Sequence, residues 1–174
     1  MRLTRGGFTL IELMVSISIL SIMMIFLYKS YASLNASNII VKKESLTISK
    51  TKKLKKVIFL DFSLAMYNSI KVQNREKNED FVSLQSSNSL HRRFNPYIAY
   101  IVKENSLYRL ESLKEFKNYY LNIDNNFDID YLGEVDSFRV YKSSNTKKEL
   151  YLTHIDFKNM QNILLKVKVL NRAP

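Results

Sequence analysis

Residues 6–27 read GGFTLIELMVSISILSIMMIFL, and this stretch decides how the chain is organised. After the two glycines, every residue of the run is apolar or carries a small hydroxyl group, except Glu12. A helix rises about 1.5 Å per residue, so about twenty such residues span the roughly 30 Å hydrocarbon core of a bilayer. Arg2 and Arg5 precede the run, and positive charge predicts which flank stays in the cytoplasm. We therefore expect a single-pass membrane protein with a cytoplasmic N-terminus and an extracytoplasmic head.

The two glycines lie before the apolar run, whereas a secretory signal peptide carries its small-residue cleavage site after the run. The residues that follow here are Tyr28-Lys29-Ser30-Tyr31, which contain no such site. A cut after Gly7 would release a basic leader, residues 1–7, and leave the hydrophobic helix on the mature chain.

Residues 7–12, GFTLIE, resemble position for position the class III signal of type IV pilins and type II secretion pseudopilins. In that family a prepilin peptidase cuts after the glycine and methylates the new terminal amine. The resemblance therefore implies cleavage between Gly7 and Phe8 and N-methylation of Phe8. It also implies other pilin or pseudopilin subunits and an inner-membrane assembly platform as partners.

Glu12 places a carboxylate inside a hydrocarbon segment, which costs about 2.5 to 3.5 kcal/mol on insertion scales and needs a reason. One reason is local, because the helix dipole favours a negative charge in the first turn. The resemblance implies a second reason: in the family, the matching glutamate pairs with the N-terminal amine of a neighbouring subunit and sets the axial register of a filament. The two roles are compatible, and we expect Glu12 to form this assembly ion pair.

Length and composition limit what the remainder can be. A chain of 174 residues has room for the anchor and one small head domain. The formal net charge is +11, and removing Arg2 and Arg5 leaves +9 (11 − 2). A basic extracytoplasmic protein can meet anionic lipid, nucleic acid or an acidic partner, or simply carry a solvated lysine-rich surface. Cysteine is absent, so the head has no disulfide; many major pilins have one, which favours a pseudopilin or minor pilin.

The apolar run continues into an amphipathic segment, because neither proline nor glycine occurs between Phe8 and Phe94 to end a helix. We expect one long helix with a transmembrane half at residues 8–31 and an amphipathic half at residues 32–72. Apolar and small residues recur there at helical steps: Tyr31, Leu34, Asn38, Val41 and Ser45, then Leu54, Ile58, Phe62 and Ala65.

Two features leave the form of this helix open. The β-branched pieces around Ile39 and Val57 also suit strands, although the regular polar interruptions favour helix. Many pilins kink the helix at a proline, and this chain has Lys29 at that place.

The head is expected at residues 73–174. Its first segment, QNREKNED at residues 73–80, is wholly polar and predicts a loop. Short aromatic and β-branched segments follow, which are typical of strands. A hairpin is predicted from residues 96–103 and 107–111, and further strands at residues 137–141, 150–157 and 163–170. The predicted fold class is α+β: a long N-terminal helix packed on a small antiparallel β head, the pilin-like arrangement.

This order of parts resembles the minor pseudopilins of the J type and related minor pilins. In that branch a segment like residues 60–65, LDFSLA, closes the long helix. Segments like residues 100–102 and 107–109 form a mid-chain hairpin, and paired late strands finish the head. A major pseudopilin of the G type would have a shorter head with a calcium loop.

Four residues alternate as the early ligands of a calcium loop do: Asp124, Asn126, Asp128 and Asp130. Such a loop also needs a glycine and a final glutamate, where this chain has Ile129 and Val135. The apolar residues between the acids favour a half-buried strand with its acidic side chains facing solvent. We expect no metal site and no cofactor.

Residues suited to catalysis are scarce. His91 lies beside two arginines and His154 lies in an apolar segment, and neither has a carboxylate and a nucleophile grouped near it in sequence. The head contains one glycine, Gly133, so it has no glycine-rich phosphate loop. We expect that the protein is not an enzyme.

Two functions remain from different classes. The first is a minor pseudopilin or pilin that assembles through its N-terminal helix into a periplasmic filament, at its initiation or tip complex, for type II protein secretion. The second is a minor type IV pilin whose basic head binds DNA or another polyanion through Arg92 and Arg93, which lie next to Phe94 and Tyr97. In both, the chain spans the bacterial inner membrane, contacts its lipid, and passes into a periplasmic or surface filament.

Overall fold

A computed structural model describes residues 9–76, 78–116, 119, 126–144 and 149–170. One long helix is followed by a seven-stranded sheet, which confirms the α+β prediction. The elements in chain order are α1 (Leu10–Ser63), β1 (Lys71–Glu76), β2 (Glu79–Gln85), β3 (Tyr97–Lys103), β4 (Ser106–Ser112), β5 (Phe127–Lys142), β6 (Leu150–Phe157) and β7 (Ile163–Lys168). The chain divides into two compact units, residues 1–46 and residues 47–174.

In the first unit, α1 is exposed, and the helix is long and apolar enough to cross a membrane. The hydroxyls of Ser16, Ser18 and Ser21 each donate to the carbonyl oxygen one turn earlier, at 2.8 Å. A hydroxyl that is bonded to its own helix needs no water, so these serines are compatible with a lipid environment. The strand alternative near Ile39 is wrong, because that residue lies within α1.

In the second unit, the predicted inward positions of the amphipathic segment are buried: Leu54, Ile58, Phe62 and Ala65. The helix ends at Ser63, however, well before the expected boundary at residue 72. Ala65 already forms a bridge with Ser86 of the chain that follows β2, and the Ser87 N–H donates to the Leu64 carbonyl at 3.2 Å. Pairing with the sheet therefore replaces the last turns of helix.

The expected loop at residues 73–80 is wrong. This polar segment forms most of β1 and the start of β2, which pair as an antiparallel hairpin with Val72 opposite Val82 and Asn74 opposite Asp80. β1 is an edge strand of the sheet. Edge strands carry polar and charged side chains that discourage pairing with other chains, so polarity here marks an edge and not a loop.

The sheet is a meander in which each strand pairs antiparallel with the next. The predicted mid-chain hairpin is confirmed as β3 and β4, and its turn residues Glu104 and Asn105 both have positive φ, 51° and 56°. Such values are typical of a tight two-residue hairpin turn. β6 covers residues 150–157 as predicted, and β7 ends two residues before the predicted position 170, at Lys168.

The long strand β5 joins the two parts of the sheet. Its first half pairs with β4 and its second half with β6, and near the junction the β4 pairing has a register irregularity next to Gly133, whose φ is positive. The second half passes the tip of the β3–β4 hairpin, where the Val135 N–H donates to the Asn105 carbonyl at 2.8 Å. It then meets the start of β2, where the buried carboxylate of Asp80 accepts the Val140 N–H at 2.7 Å. The predicted strand at residues 137–141 is this second half.

The two faces of the sheet carry separate apolar clusters because side chains alternate along a strand. Ile98, Tyr100 and Val102 of β3 belong to the larger cluster, which also contains Ile58 and Phe62 of α1. Ala99 and Ile101 face the other way, into a smaller cluster with Phe81, Leu110 and Phe116. The last turns of α1, which belong to the second unit, thus cover one face of the sheet.

Candidate functional site

The first candidate site is the start of α1. Gly7 and Phe8, the residues predicted for cleavage and methylation, lie outside the described residues. Thr9 precedes the helix and Glu12 lies in its first turn. One oxygen of Glu12, Oε2, accepts hydrogen bonds from the N–H and the hydroxyl of Thr9, both at 2.9 Å. The Thr9 hydroxyl oxygen accepts the Glu12 N–H at 3.4 Å in return.

This reciprocal arrangement is a capping box, which satisfies N–H groups that a helix start leaves without partners. It gives Glu12 a local role that the sequence analysis did not identify, beyond the interaction of its charge with the helix dipole. The other carboxylate oxygen, Oε1, has no partner among the described residues. A carboxylate can accept about four hydrogen bonds, so capping leaves Glu12 able to bind a cation as well.

The second candidate site is a group of charged side chains inside the head. Arg109 of β4 is fully buried, and so is Asp61 in the last turn of α1. The guanidinium of Arg109 donates to both oxygens of Asp61, at 2.7 Å from Nε and 3.2 Å from Nη2. Asp61 also accepts the Tyr100 hydroxyl at 2.5 Å and the Asn88 side-chain amide at 2.6 Å. Each lone pair that burial removes from water therefore gains a protein donor.

Glu111 extends this group to the loop between β2 and β3. Its side chain is buried and accepts Nη1 of Arg109 at 2.7 Å. It also accepts the Leu90 N–H at 3.0 Å and the Ser89 hydroxyl. Glu111 thus holds the loop against β4 through both side-chain and backbone donors.

At the partly exposed edge of the group, His91 and Arg93 meet two aspartates of β5. Nε2 of His91 lies 3.1 Å from both oxygens of Asp130, which also accepts Nη1 of Arg109 at 3.2 Å. Arg93 donates to Oδ2 of Asp128 at 3.0 Å from Nε and 2.7 Å from Nη2. The sequence analysis treated the acidic pair and the basic residues as two unrelated candidate sites, and the structure joins them.

Electrostatics in the group follow from burial and pairing. Burial by itself raises the pKa of Glu111, but hydrogen bonds from Ser89, Arg109 and the Leu90 N–H outweigh it, so this pKa is lowered. Burial and the neighbouring Asp61 charge raise the pKa of Tyr100 well above its ordinary value. Burial opposes the charge of Arg109, yet its bonds to Asp61 keep its pKa raised and the guanidinium charged.

The group is suited to holding elements together. Asp61, Arg109 and Glu111 have side chains with 0% exposure, so a dissolved substrate does not reach them. They connect the end of α1, strand β4 and the β2–β3 loop. Asp128 and Asp130 attach β5 to the same group through Arg93, His91 and Arg109. We name these residues the buried charge cluster: Asp61, His91, Arg93, Arg109, Glu111, Asp128 and Asp130.

The sequence analysis expected Asp128 and Asp130 to face solvent, but they pair with cations and are only 39% and 25% exposed; Glu134 and Asp136 later in β5 are exposed. Asp128 and Asp130 point into the buried charge cluster, whereas Ile129 and Tyr131 are each 59% exposed. The strand thus turns its aspartates, and not Ile129 and Tyr131, towards the rest of the head. The hydrogen bonds from Arg93 and Arg109 explain this orientation, because they give the aspartates partners there. Asp124 lies outside the described residues, and within the described part of the chain no cluster of three metal-ligating side chains occurs.

The remaining predicted residues differ in exposure. Arg92 is exposed, has a positive φ of 59°, and forms no ion pair among the described residues. The side chain of Arg93 is 18% exposed and is committed to Asp128. His154 lies 3.2 Å from Asp156 in the same strand. Arg92 and Arg93 are therefore adjacent in sequence but differ in what they can offer a ligand.

Comparison with known proteins bears on the first site. Residues 2–28 match the family model of the prokaryotic N-terminal methylation motif. No curated protein and no solved structure shows a significant match. The motif, the membrane-length helix and the β head together indicate a type IV pilin-like protein. The motif also implies processing by a prepilin peptidase and assembly with other pilin subunits.

Proposed function

We propose that this protein is a minor pseudopilin or minor pilin. It assembles through α1 into a filament anchored in the inner membrane, and acts in the initiation or tip complex of a type II secretion system. The observation that carries the proposal is the methylation motif at residues 2–28, whose residues from Leu10 onward form the start of a helix long enough to span the membrane.

The head supports the minor branch of J type. Its mid-chain hairpin (β3 with β4) comes before its late strand pair (β6 with β7), and this order resembles that of the J-type branch. The chain also has no cysteine and so lacks the C-terminal disulfide of many major pilins. The role is structural: packing of the helix and one ion pair from Glu12 to the terminal amine of a neighbour.

Deleting the gene in its own host tests this function. Secreted proteins in the medium, surface pili and DNA uptake are measured in parallel. Loss of secretion that the parent gene restores and Glu12→Leu does not restore would support the secretion proposal. Normal secretion together with lost pili or DNA uptake would assign the protein to a pilus system instead.

The second candidate function is polyanion binding by the head of a minor type IV pilin. Phe94 is 87% exposed and follows closely on the exposed Arg92, which places a stacking surface beside a free charge. Because Arg93 is neutralised by Asp128, we expect Arg92 to carry most of this binding. Retention of the full chain on duplex DNA at rising salt should weaken more for Arg92→Ser than for Arg93→Ser. Equal retention of parent and Arg92→Ser at low salt would exclude this function.

A further inference from the structure

The last turns of α1 have two opposite faces. Thr51, Leu54, Ile58 and Phe62 are buried against the head. On the other side lie four exposed residues. Two are adjacent in sequence, and the next two follow at steps of three positions. We name this set the lysine face: Lys52, Lys53, Lys56 and Phe59.

The lysine face carries a charge that no acidic side chain in the described part of the chain balances. Residues 47–60, TISKTKKLKKVIFL, contain lysines and no acidic residue. Asp61 follows, but it is fully buried and bound to Arg109. Within the described residues none of the three lysines of this face forms an ion pair with an acidic side chain. Three neighbouring charges of one sign therefore point outward from the last turns of α1.

Phe59 adds an apolar anchor to these charges. Phe59 is 44% exposed, although the opposite face of the same helix packs on the core of the head. It follows Lys56 by three positions and Lys52 by seven, so the ring lies on the same side of the helix. Aromatic residues are enriched in protein interfaces, so the exposed ring can anchor a contact beside the charges.

A second copy of this chain does not suit the lysine face. Helices that pack side by side lie about 8 to 10 Å apart, which is close to the Debye length of about 8 Å at physiological salt. Two lysine faces at that separation would repel each other, and like charges across an interface are a means of rejecting a partner.

We propose that the lysine face binds an acidic helix face of a different pilin-like subunit, with Phe59 in an apolar pocket between the carboxylates. The proposal rests on the proposed function, because it takes the partner from the same filament. The exposed aromatic ring favours a protein partner over nucleic acid, since a protein can offer an apolar pocket between its carboxylates. The lysine face thus selects which subunit can stand beside this one.

Photo-cross-linking of the full chain in its own host tests the proposal. Ser49 is exposed, lies one turn before Lys52 and Lys53, and is replaced by p-benzoylphenylalanine. The expected product is a cross-link to a protein that carries its own prepilin signal, at a helical segment with several Asp or Glu residues. Reversing the face with Lys52→Glu, Lys53→Glu and Lys56→Glu together should lower the yield by about tenfold or more, because three attractive pairs become repulsive.

A matched variant controls for net charge. Lys142→Glu, Lys166→Glu and Lys168→Glu make the same change at three exposed positions of the sheet and should leave the cross-link unchanged. Changing the cross-linked acidic residues of the partner to lysine should restore the yield of the reversed face. Three results would each overturn the proposal. They are a cross-link of the chain to itself, a cross-link to nucleic acid, and an equal cross-link yield in the parent and in the triple Lys→Glu variant.

The same cells separate this inference from the proposed function. If the chain is processed and secretion depends on it, but Ser49 gives only self cross-links, the inference fails and the proposed function stands. If deletion of the gene leaves secretion and pili intact, the proposed function fails whatever Ser49 contacts.

Discussion

Asp61 at the end of α1 accepts Nε of Arg109 in β4 at 2.7 Å, and both side chains are fully buried. The pair joins residues that lie 48 positions apart in the chain, so it forms only when the helix and the sheet are packed together. Burying two charges is costly, and their attraction repays that cost only when the remaining hydrogen bonds are made. Tyr100, Asn88 and Glu111 complete those bonds here.

Removing the cation of this pair should strongly destabilise the head. Arg109→Met keeps much of the side-chain volume but leaves Asp61 and Glu111 as buried carboxylates without their main partner. A buried pair broken on one side costs about 3 to 5 kcal/mol. Thermal and urea unfolding of the full chain in detergent micelles, followed by near-ultraviolet circular dichroism, measures the loss.

Arg92→Met is the matched control, because it removes an arginine that is exposed and has no ion pair among the described residues. It should change stability by no more than about 0.5 kcal/mol. If Arg109→Met unfolds at the same urea concentration as Arg92→Met, the buried charge cluster does not hold the head together.

Acid should destabilise the head through Glu111. Its pKa is lower in the folded chain than the ordinary 4.5, so the unfolded chain binds more protons in acid. The stabilising contribution is complete above the ordinary pKa and is lost as the pH falls through the lower, folded value. Unfolding midpoints between pH 7 and pH 3 should therefore fall steeply below pH about 4.5.

Glu111→Gln should flatten that decline, since the amide cannot titrate, even if the variant is less stable at neutral pH. Glu104→Gln at the exposed β3–β4 turn should keep the parent's pH dependence. An unchanged acid slope in Glu111→Gln would show that another carboxylate controls the response.

Gly133 should not tolerate a side chain. Its φ of 136° lies where side chains are rarely found, and a Cβ there would lie 2.7 Å from Cε of Met160. Gly133→Ala should cost about 1 to 3 kcal/mol from backbone strain, with the contact as an addition. The Met160 side chain is flexible and can move aside, so its contact with the new Cβ should account for the smaller part of the lost stability. Adding Met160→Ala to Gly133→Ala should therefore recover only that part. Full recovery in the double variant would mean that the backbone is not strained.

Much of the fold follows from patterns within short segments. The strands at residues 96–103 and 150–157 are short runs rich in aromatic and β-branched residues, and composition identified them. The helix positions Leu54, Ile58 and Phe62 recur at helical steps, and periodicity identified them. The β1–β2 hairpin was missed because β1 is polar, and polarity alone does not distinguish an edge strand from a loop.

The buried charge cluster was missed for a different reason. Its partners are far apart in sequence, and only the folded chain brings Asp61 to Arg109 or Arg93 to Asp128. A signal was present, because Asp61 stands between apolar residues at inward helix positions and Arg109 stands between Tyr108 and Leu110 in a strand. A charge at a position that periodicity predicts to be buried indicates an ion pair, although it does not identify the partner.

Processing of the N-terminus is expected between Gly7 and Phe8. Intact-mass analysis of the protein extracted from membranes should show loss of residues 1–7 and one added methyl group on Phe8. Gly7→Ala or the bulkier Gly7→Val should leave the leader in place, because in the family that the signal resembles the peptidase cuts after this glycine. Gly6→Val tests whether the second glycine matters, and a retained Met1 in the parent protein would contradict the class III signal.

Two roles of Glu12 can be separated, because one needs only its oxygens and the other needs its charge. The capping box with Thr9 uses hydrogen bonds, which a glutamine at position 12 also supplies. The ion pair with a neighbour's terminal amine uses the charge, which glutamine lacks. The packed interior of a filament has a low dielectric constant, and an unpaired charge there is costly. The ion pair should therefore matter most after assembly.

Glu12→Leu should insert into the membrane and be processed at least as well as the parent, because a charge leaves the apolar run, but it should not enter the filament. Glu12→Gln should insert normally and assemble to an intermediate degree. Thr9→Val removes the hydroxyl contributions to the capping box and keeps the charge, so it should assemble nearly as the parent does. Co-purification of each variant with other pilin subunits from membranes measures assembly. If Glu12→Gln equals the parent and Thr9→Val fails, Glu12 acts as a helix cap and not as the assembly ion pair.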